Sequence, residues 1–169
     1  VRKRRLKPDK RSERSTVNIE KTFIMIKPDS VQRGLAGQIL ARFEARAMKI
    51  VALKLIMVTD KLAKEQYAEH LGKDFYPRLM RHIRSGPVLV GVIEAPDAVA
   101  QVRKMVGATD PANAEVGSIR QAYCQDIALN AVHASDSLST AEREIGIYFR
   151  QDEILSYELD IHRWLYPAE

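Results

Sequence analysis

Thr22-Phe23-Ile24-Met25-Ile26, closed by Lys27-Pro28-Asp29, is the most telling stretch of the chain. Its first five residues are β-prone and almost continuously apolar, whereas a strand with one wet face would alternate apolar with polar. The run therefore predicts a strand covered on both faces. Proline has no N–H to give a central ladder, so the strand stops at Lys27.

Beyond it the pattern changes period. Leu35, Ile39, Leu40, Phe43 and Ala47 recur at helical spacing. Residues 50–58 read as a second strand, 61–71 and 76–84 as two helices parted by Gly72-Lys73-Asp74, and Val88 to Ile93 as a third strand after the turn Ser85-Gly86-Pro87. Val99, Val102, Met105 and Val106 mark a further helix that Gly107 stops. Residues 108–121 read as a loop long enough to suggest function. Ala122 to Ile127 reads as a fourth strand, and Ser139-Thr140-Ala141-Glu142 as a capping box opening a last helix. The order β-α-β-α-α-β-α-loop-β-α suits a mixed α/β (α+β) domain, a four-stranded sheet layered with helices, of the split βαβ kind.

Composition bounds what else the chain can be. Its 169 residues, 46% hydrophobic and 29% charged, are enough for one domain with a sizeable core. No apolar run approaches the roughly 18 residues of a membrane span, so no membrane partner is expected. The single cysteine, Cys124, excludes a disulfide framework and any CxxC motif, which fits a reducing, cytoplasmic compartment. The net charge is +5, but residues 1–14 carry eight basic side chains against Asp9 and Glu13, a balance of +6 that leaves residues 15–169 at −1. Residues 1–18 hold only Val1, Leu6 and Val17 as aliphatic side chains and read as a mobile basic N-terminal extension, with the domain over 19–169. Two acids within the basic run and no apolar stretch argue against a targeting peptide. Contact between residues 1–14 and nucleic acid or an acidic surface is one expectation, and it would weaken steeply with salt. A tail that serves only solubility is the other.

No P-loop, G-x-G-x-x-G, H-E-x-x-H or G-x-S-x-G is present, so any phosphate must be held by side chains and not by a glycine cradle. The informative segment is Asn130-Ala131-Val132-His133-Ala134-Ser135-Asp136-Ser137, between the last strand and the capped helix. Small neighbours leave the His133 ring approachable, and a neutral imidazole nitrogen is a nucleophile at physiological pH. Glu144 lies three residues after Ala141 and four before Tyr148, hence on the inward edge of its helix. There a carboxylate can orient the imidazole and stabilise its charge as an adduct forms. From spacing alone, a satisfied structural histidine and an ordinary helix glutamate fit as well.

Lys27, Arg103 and Arg120, with Thr109 in the long loop, are the kind of donors that hold polyphosphate oxygens. Taken singly, each also reads as a solvated surface residue. Tyr67 and Phe75 flank a Gly break and can clamp a base or fill a core.

Lys27-Pro28-Asp29 after a strand, Gly117-Ser118-Ile119-Arg120, and the segment from Asn130 to Ser137 closely resemble the nucleoside diphosphate kinase family, and the resemblance runs from about Lys21 to Tyr166. It implies a ferredoxin-like fold with a four-stranded antiparallel sheet. The implied reaction is ping-pong transfer of the γ-phosphate from a nucleoside triphosphate to a diphosphate (ATP + NDP to ADP + NTP) through a phosphohistidine, with broad base range. By position, the resemblance makes His133 the nucleophile, Glu144 its supporting carboxylate and Ser135 the hydroxyl adjoining the histidine. Lys27 reaches the sugar hydroxyl and the transferred phosphate. Tyr67 stands beside the catalytic pocket, and Phe75 and Ile127 sit on the two faces of the base. Arg103, Thr109 and Arg120 bind phosphate, and Asn130 bonds the ribose. Arg33 and Asp136 match a structural ion pair, and Pro111 a loop that packs at subunit contacts. No metal ligands are assigned: Mg²⁺ is expected to arrive on the nucleotide's phosphates. A closed homo-oligomer is implied, a hexamer before a tetramer or dimer, and the apolar end, residues 164–169, is expected to pack between subunits. Ala134 stands where glycine is usual, and Lys73 where an arginine is common.

Overall fold

The computed structural model describes residues 18–161 and Trp164. The basic extension, apart from Asn18, and the expected subunit contact at 164–169, apart from Trp164, lie outside the described residues.

β1 (Ile19–Ile26), β2 (Lys49–Met57), β3 (Pro87–Pro96) and β4 (Val132–Ala134) form one antiparallel sheet in the spatial order β2-β3-β1-β4, the ferredoxin-like arrangement. β1 is central, and its side chains from Thr22 to Ile26 are all buried, as the unbroken apolar run requires. Its alternation feeds two cores. Ile24 and Ile26 pack on one face with Ile39 and Phe43 of α2 (Ala36–Glu44) and Val102 and Val106 of α5 (Ala98–Val106). Phe23 and Met25 pack on the other with Ala63 of α3 (Asp60–Gln66), Met80 and Ile83 of α4 (Tyr76–Ile83), and Tyr148 of α7 (Leu138–Tyr148). Phe23 stacks on Tyr148 with ring centroids 5.0 Å apart. Truncating such a buried ring costs about 3–5 kcal/mol.

Three expectations are corrected. Residues 119–123 are a helix, α6 (Ile119–Tyr123), and the fourth strand lies further on, at Val132–Ala134. The physical reason is local and tertiary together. Ser118 caps α6 by accepting from the Gln121 N–H, and Ile119 and Arg120 are buried by it. The next segment able to pair with β1 is then the histidine segment, in the register Ile24↔Ala134, Met25↔His133, Ile26↔Val132. The last helix opens two residues before the expected box, at Ser137, whose Oγ accepts from the Thr140 N–H at 3.1 Å. Finally, residues 108–121 are not wholly loop: a one-turn 3₁₀ helix at Pro111–Asn113 precedes α6, held by the Asp110 side chain on the Ala112 N–H.

Pro28 opens a short helix, α1 (Pro28–Gln32), where its missing N–H is not needed. That turn carries Lys27 and Asp29 to the end of the sheet beside β4, where the Lys27 N–H donates to Ala131 O at 2.8 Å.

Candidate active site

A cleft of about 570 Å³ opens at the β4 edge of the sheet. His133, Lys27, Arg120, Asn130 and Glu144 line its inner end, and Phe75, Ile127, Arg103 and Thr109 its outer part. Pairing with Met25 turns His133 onto the same face as Phe23 and Tyr67, whose rings lie 6.1 and 6.2 Å from the imidazole and confine its plane. The side chain is 24% exposed.

His133 Nε2 lies 2.9 and 3.0 Å from the two carboxylate oxygens of Glu144. A carboxylate only accepts, so Nε2 carries the proton and the neutral ring keeps its lone pair on Nδ1. Glu144 is 2% exposed, a burial that an ionised carboxylate tolerates only when paired. Beside His133 it accepts from Ser135 Oγ at 2.5 Å and Gln66 Nε2 at 2.6 Å, and Arg143 stands 3.6 Å away. Burial pushes the Glu144 carboxyl up, but the His133 hydrogen bond and charge, then Ser135 and Gln66, outweigh it and hold the group below its usual range. Ser135 therefore bears on the carboxylate, on the same oxygen that lies 3.0 Å from His133 Nε2.

Lys27 Nζ donates to Asn130 Oδ1 at 2.6 Å, and Asn130 Nδ2 to Thr109 O at 3.1 Å. Burial, then the neighbouring Arg120 charge, lowers the Lys27 ammonium to about 8. Arg120 is buried, and its guanidinium donates to three backbone carbonyls, Asn130 O, Gly107 O and Val132 O, at 3.2, 2.9 and 2.7 Å. It thus ties the loop and β4 together while presenting positive charge to the cleft. Arg103 and Thr109 are exposed there. Phe75 and Ile127 are half exposed and offer apolar faces.

Tyr67 lines the cleft from a buried position, its hydroxyl against Met25 Sδ. Two placements differ from expectation. Arg33 does not pair with Asp136; it donates to Tyr123 O at 2.7 Å, while Thr140, with Ser137 beside it, holds the Asp136 carboxyl low. Lys73 lies outside the cleft wall, its ammonium 3.0 Å from His70 Nδ1 and 5.8 Å from the Phe75 ring centroid.

Sequence reasoning also missed groups. Gln66 on Glu144 is one. Asp29 and His82 are two more: Asp29 Oδ2 accepts from the Ala131 N–H at 3.2 Å, and His82 Nε2 lies 3.1 Å from Asp29 Oδ1. Ala131 has φ +66°, a left-handed conformation unfavourable for alanine, and this clamp holds it between Asn130 and Val132. The proximity of Asp29 to Pro28 was visible; its partner 102 residues away was not.

A ferredoxin-like sheet with a carboxylate-held imidazole on its edge strand and a cleft of cations and exposed apolar faces defines a class, α+β proteins built to handle phosphorylated nucleosides. Residues 20–154 match the nucleoside diphosphate kinase family. The chain is 51% identical over 147 residues to a nucleoside diphosphate kinase of Desulfitobacterium hafniense, covering 87% of this chain and 99% of that one. It is 46% identical over 147 residues to that of Saccharomyces cerevisiae, covering 87% and 96%. The solved structure of a halophilic nucleoside diphosphate kinase from Halobacterium salinarum in complex with CDP superposes with a TM-score of 0.86 at 43% identity, covering 88% of this chain and 99% of that one. The chain belongs to the nucleoside diphosphate kinase family.

Proposed function

We propose that this chain exchanges γ-phosphate between nucleoside triphosphates and diphosphates through an adduct on His133 Nδ1. The family carries the exchange reaction itself; the roles below are our reading of the residues. The observation that supports it most is the two-oxygen grip of Glu144 on Nε2, which leaves the other ring nitrogen with its lone pair in a cleft.

In the first half-reaction the Nδ1 lone pair attacks the γ-phosphorus, an N–P bond forms, and the bond to the bridging oxygen breaks, with the electron pair leaving on the β-phosphate. The ring keeps its Nε2 proton throughout. Its new positive charge is balanced by Glu144, buried and already ionised, so no reorganisation is needed as charge develops. The diphosphate departs, a second one enters, and its terminal oxygen attacks the same phosphorus in reverse. Splitting the transfer lets donor and acceptor share one site in turn.

Lys27, Arg103, Arg120 and Thr109 hold phosphate oxygens, and Asn130, oriented by Lys27 and the Thr109 carbonyl, meets the ribose. Phe75 and Ile127 grip the base by its faces, which tolerates any base. The Halobacterium relative in complex with CDP supports a nucleotide in this cleft. Mg²⁺ would fit this donor set carried on the nucleotide's phosphates, whose charge it would partly neutralise. Among the described residues no three acidic, histidine or cysteine side chains cluster as a metal cage; Glu69 and Asp136 are exposed carboxylates on the cleft lining.

Incubation with γ-labelled ATP should leave an acid-labile, base-stable label on the protein that His133→Ala abolishes. No label on the intact chain would overturn the reading.

Assembly into a closed homo-oligomer, a hexamer before a tetramer or dimer, is part of the proposal and is supported by the exposed apolar row Leu53, Leu55 and Met57 on the open β2 edge. No helix among the described residues is long and apolar enough to cross a membrane. A cytoplasmic location rests on the nucleotide substrates and on a lone cysteine that suits a reducing compartment. Contact of residues 1–14 with a nucleic-acid or acidic surface rests on their charge, and binding insensitive to salt would count against it.

A further inference from the structure

Gln66, the last residue of α3, is a buried amide with one half in use. It is 2% exposed; Nε2 donates to Glu144 Oε1 at 2.6 Å, and Oε1 finds no partner among the described residues. The carboxylate settles which way the amide points. Reversed, its oxygen would press against an ionised oxygen at the same distance. Nε2 also approaches His133 Nε2 to 3.3 Å, but both are N–H groups aimed at Glu144, so this contact is proximity and not a bond. A buried carbonyl without a partner disfavours folding. The amide's contribution is therefore to be sought in the carboxylate it touches.

We infer that Gln66 is a positioning residue of the phosphate-transfer site, which by donating to Glu144 Oε1 holds that carboxylate against His133 Nε2 and draws off part of its charge. The inference rests on the reading of His133 as the nucleophile. Without Gln66, Glu144 keeps Ser135 on one oxygen, while Arg143 at 3.6 Å is free to draw the other away from the imidazole. A carboxylate less neutralised by donors also binds an imidazolium more tightly. His133 then holds its second proton to higher pH, and less of it presents a lone pair.

The other charged and titratable groups facing this pair can be separated from it. Tyr67, just after α3, and Tyr148 on α7 are pushed well above the phenol range by burial and stay neutral in any ordinary assay. Arg143, whose guanidinium also donates to Glu65 O on α3, stays charged. Lys27 beyond β1, lowered to about 8, and the buried Arg120, lowered to about 10, titrate on the alkaline side. His70, His82, Glu69 and Asp136 also line the cleft, so the acid limb is assigned to the His133–Glu144 pair by following the His133 ring itself.

The test is Gln66→Met, which keeps the volume and removes both amide atoms. Expected are kcat down about tenfold with KM unchanged, an acid limb moved up by about half a pH unit to one unit, and a Tm no lower than that of the parent chain. Imidazole ¹⁵N shifts of His133, titrated by NMR, should move with the limb. A variant with parental kcat and an unmoved limb overturns the inference, as does a loss of activity matched by a lower Tm with His133 titrating as before. Should Gln66→Met not fold, Gln66→Leu likewise removes both amide atoms and should move the limb in the same direction, and an unmoved limb again overturns the inference. A parent chain that takes no label on His133 fails differently: it removes the nucleophile, whatever Gln66 does.

Discussion

Lys27 shows how one side chain can be set by opposing demands. Its ammonium is buried against Asn130 with Arg120 nearby, and these lower its proton affinity to about 8. Between that value and the unfolded lysine near pH 10.4, the unfolded chain holds a proton that the folded chain has released, so through this window the group's contribution to stability grows as pH rises. Phosphate binding runs the other way, because the cation is the form that attracts it. We predict that kcat/KM for a nucleoside triphosphate, which reports the free enzyme, falls about tenfold per unit above about pH 8. Lys27→Arg should remove that limb, since the guanidinium stays charged; a parent profile flat to pH 10 would refute the assignment. Residue types were legible here and partners were not. Lys27, His133, Asn130 and Arg120 stand out in the sequence because they are polar residues beside apolar or small ones. That Arg120 would spend three N–H groups on backbone carbonyls, or Ser135 reach Glu144, depends on contacts no spacing encodes.

At the scale of elements, the crossing of the long loop over the end of α5 depends on Gly107. Its φ is +87°, and a Cβ there would lie 2.4 Å from Ser118 Oγ, at the cap of α6. Its carbonyl also anchors Arg120. Gly107→Ala should destabilise the fold by about 2–4 kcal/mol, combining left-handed strain with overpacking. It should also weaken nucleotide binding through Arg120; chemical denaturation and a binding titration check both, and a change under 0.5 kcal/mol would show that the loop readjusts freely. Long, strongly periodic elements were readable: β1, α2, β3 and α5 fall where the apolar spacing put them. The short ones were not. A five-residue helix and a six-residue strand have nearly the same apolar content, so Ala122–Ile127 read as a strand until the Ser118 cap and the β1 ladder decided between them.

Across the whole molecule, the sheet has two unlike edges. β4 is three residues long and carries the chemistry, while β2 runs nine residues and leaves Leu55 63% exposed, with Leu53 and Met57 beside it. An open apolar edge is a template for another chain. Leu55→Glu should shift sedimentation toward smaller species and leave the His133 label intact at low protein concentration; unchanged sedimentation would place the subunit contact elsewhere.

Local pattern determined the central strand, the helices around it, the inward turn of Glu144 and the set of side chains able to handle phosphate, because burial periodicity and residue chemistry are written along the chain. Tertiary structure alone decided that the histidine would lie within an edge strand, that its Nε2 would be gripped by Glu144, that Gln66 would share that carboxylate, and that Asp29 would hold Ala131. Those side-chain hydrogen bonds join groups as many as 102 residues apart. Their existence depends on how helices and sheet pack, which fixes distances to fractions of an ångström that no one-dimensional period carries.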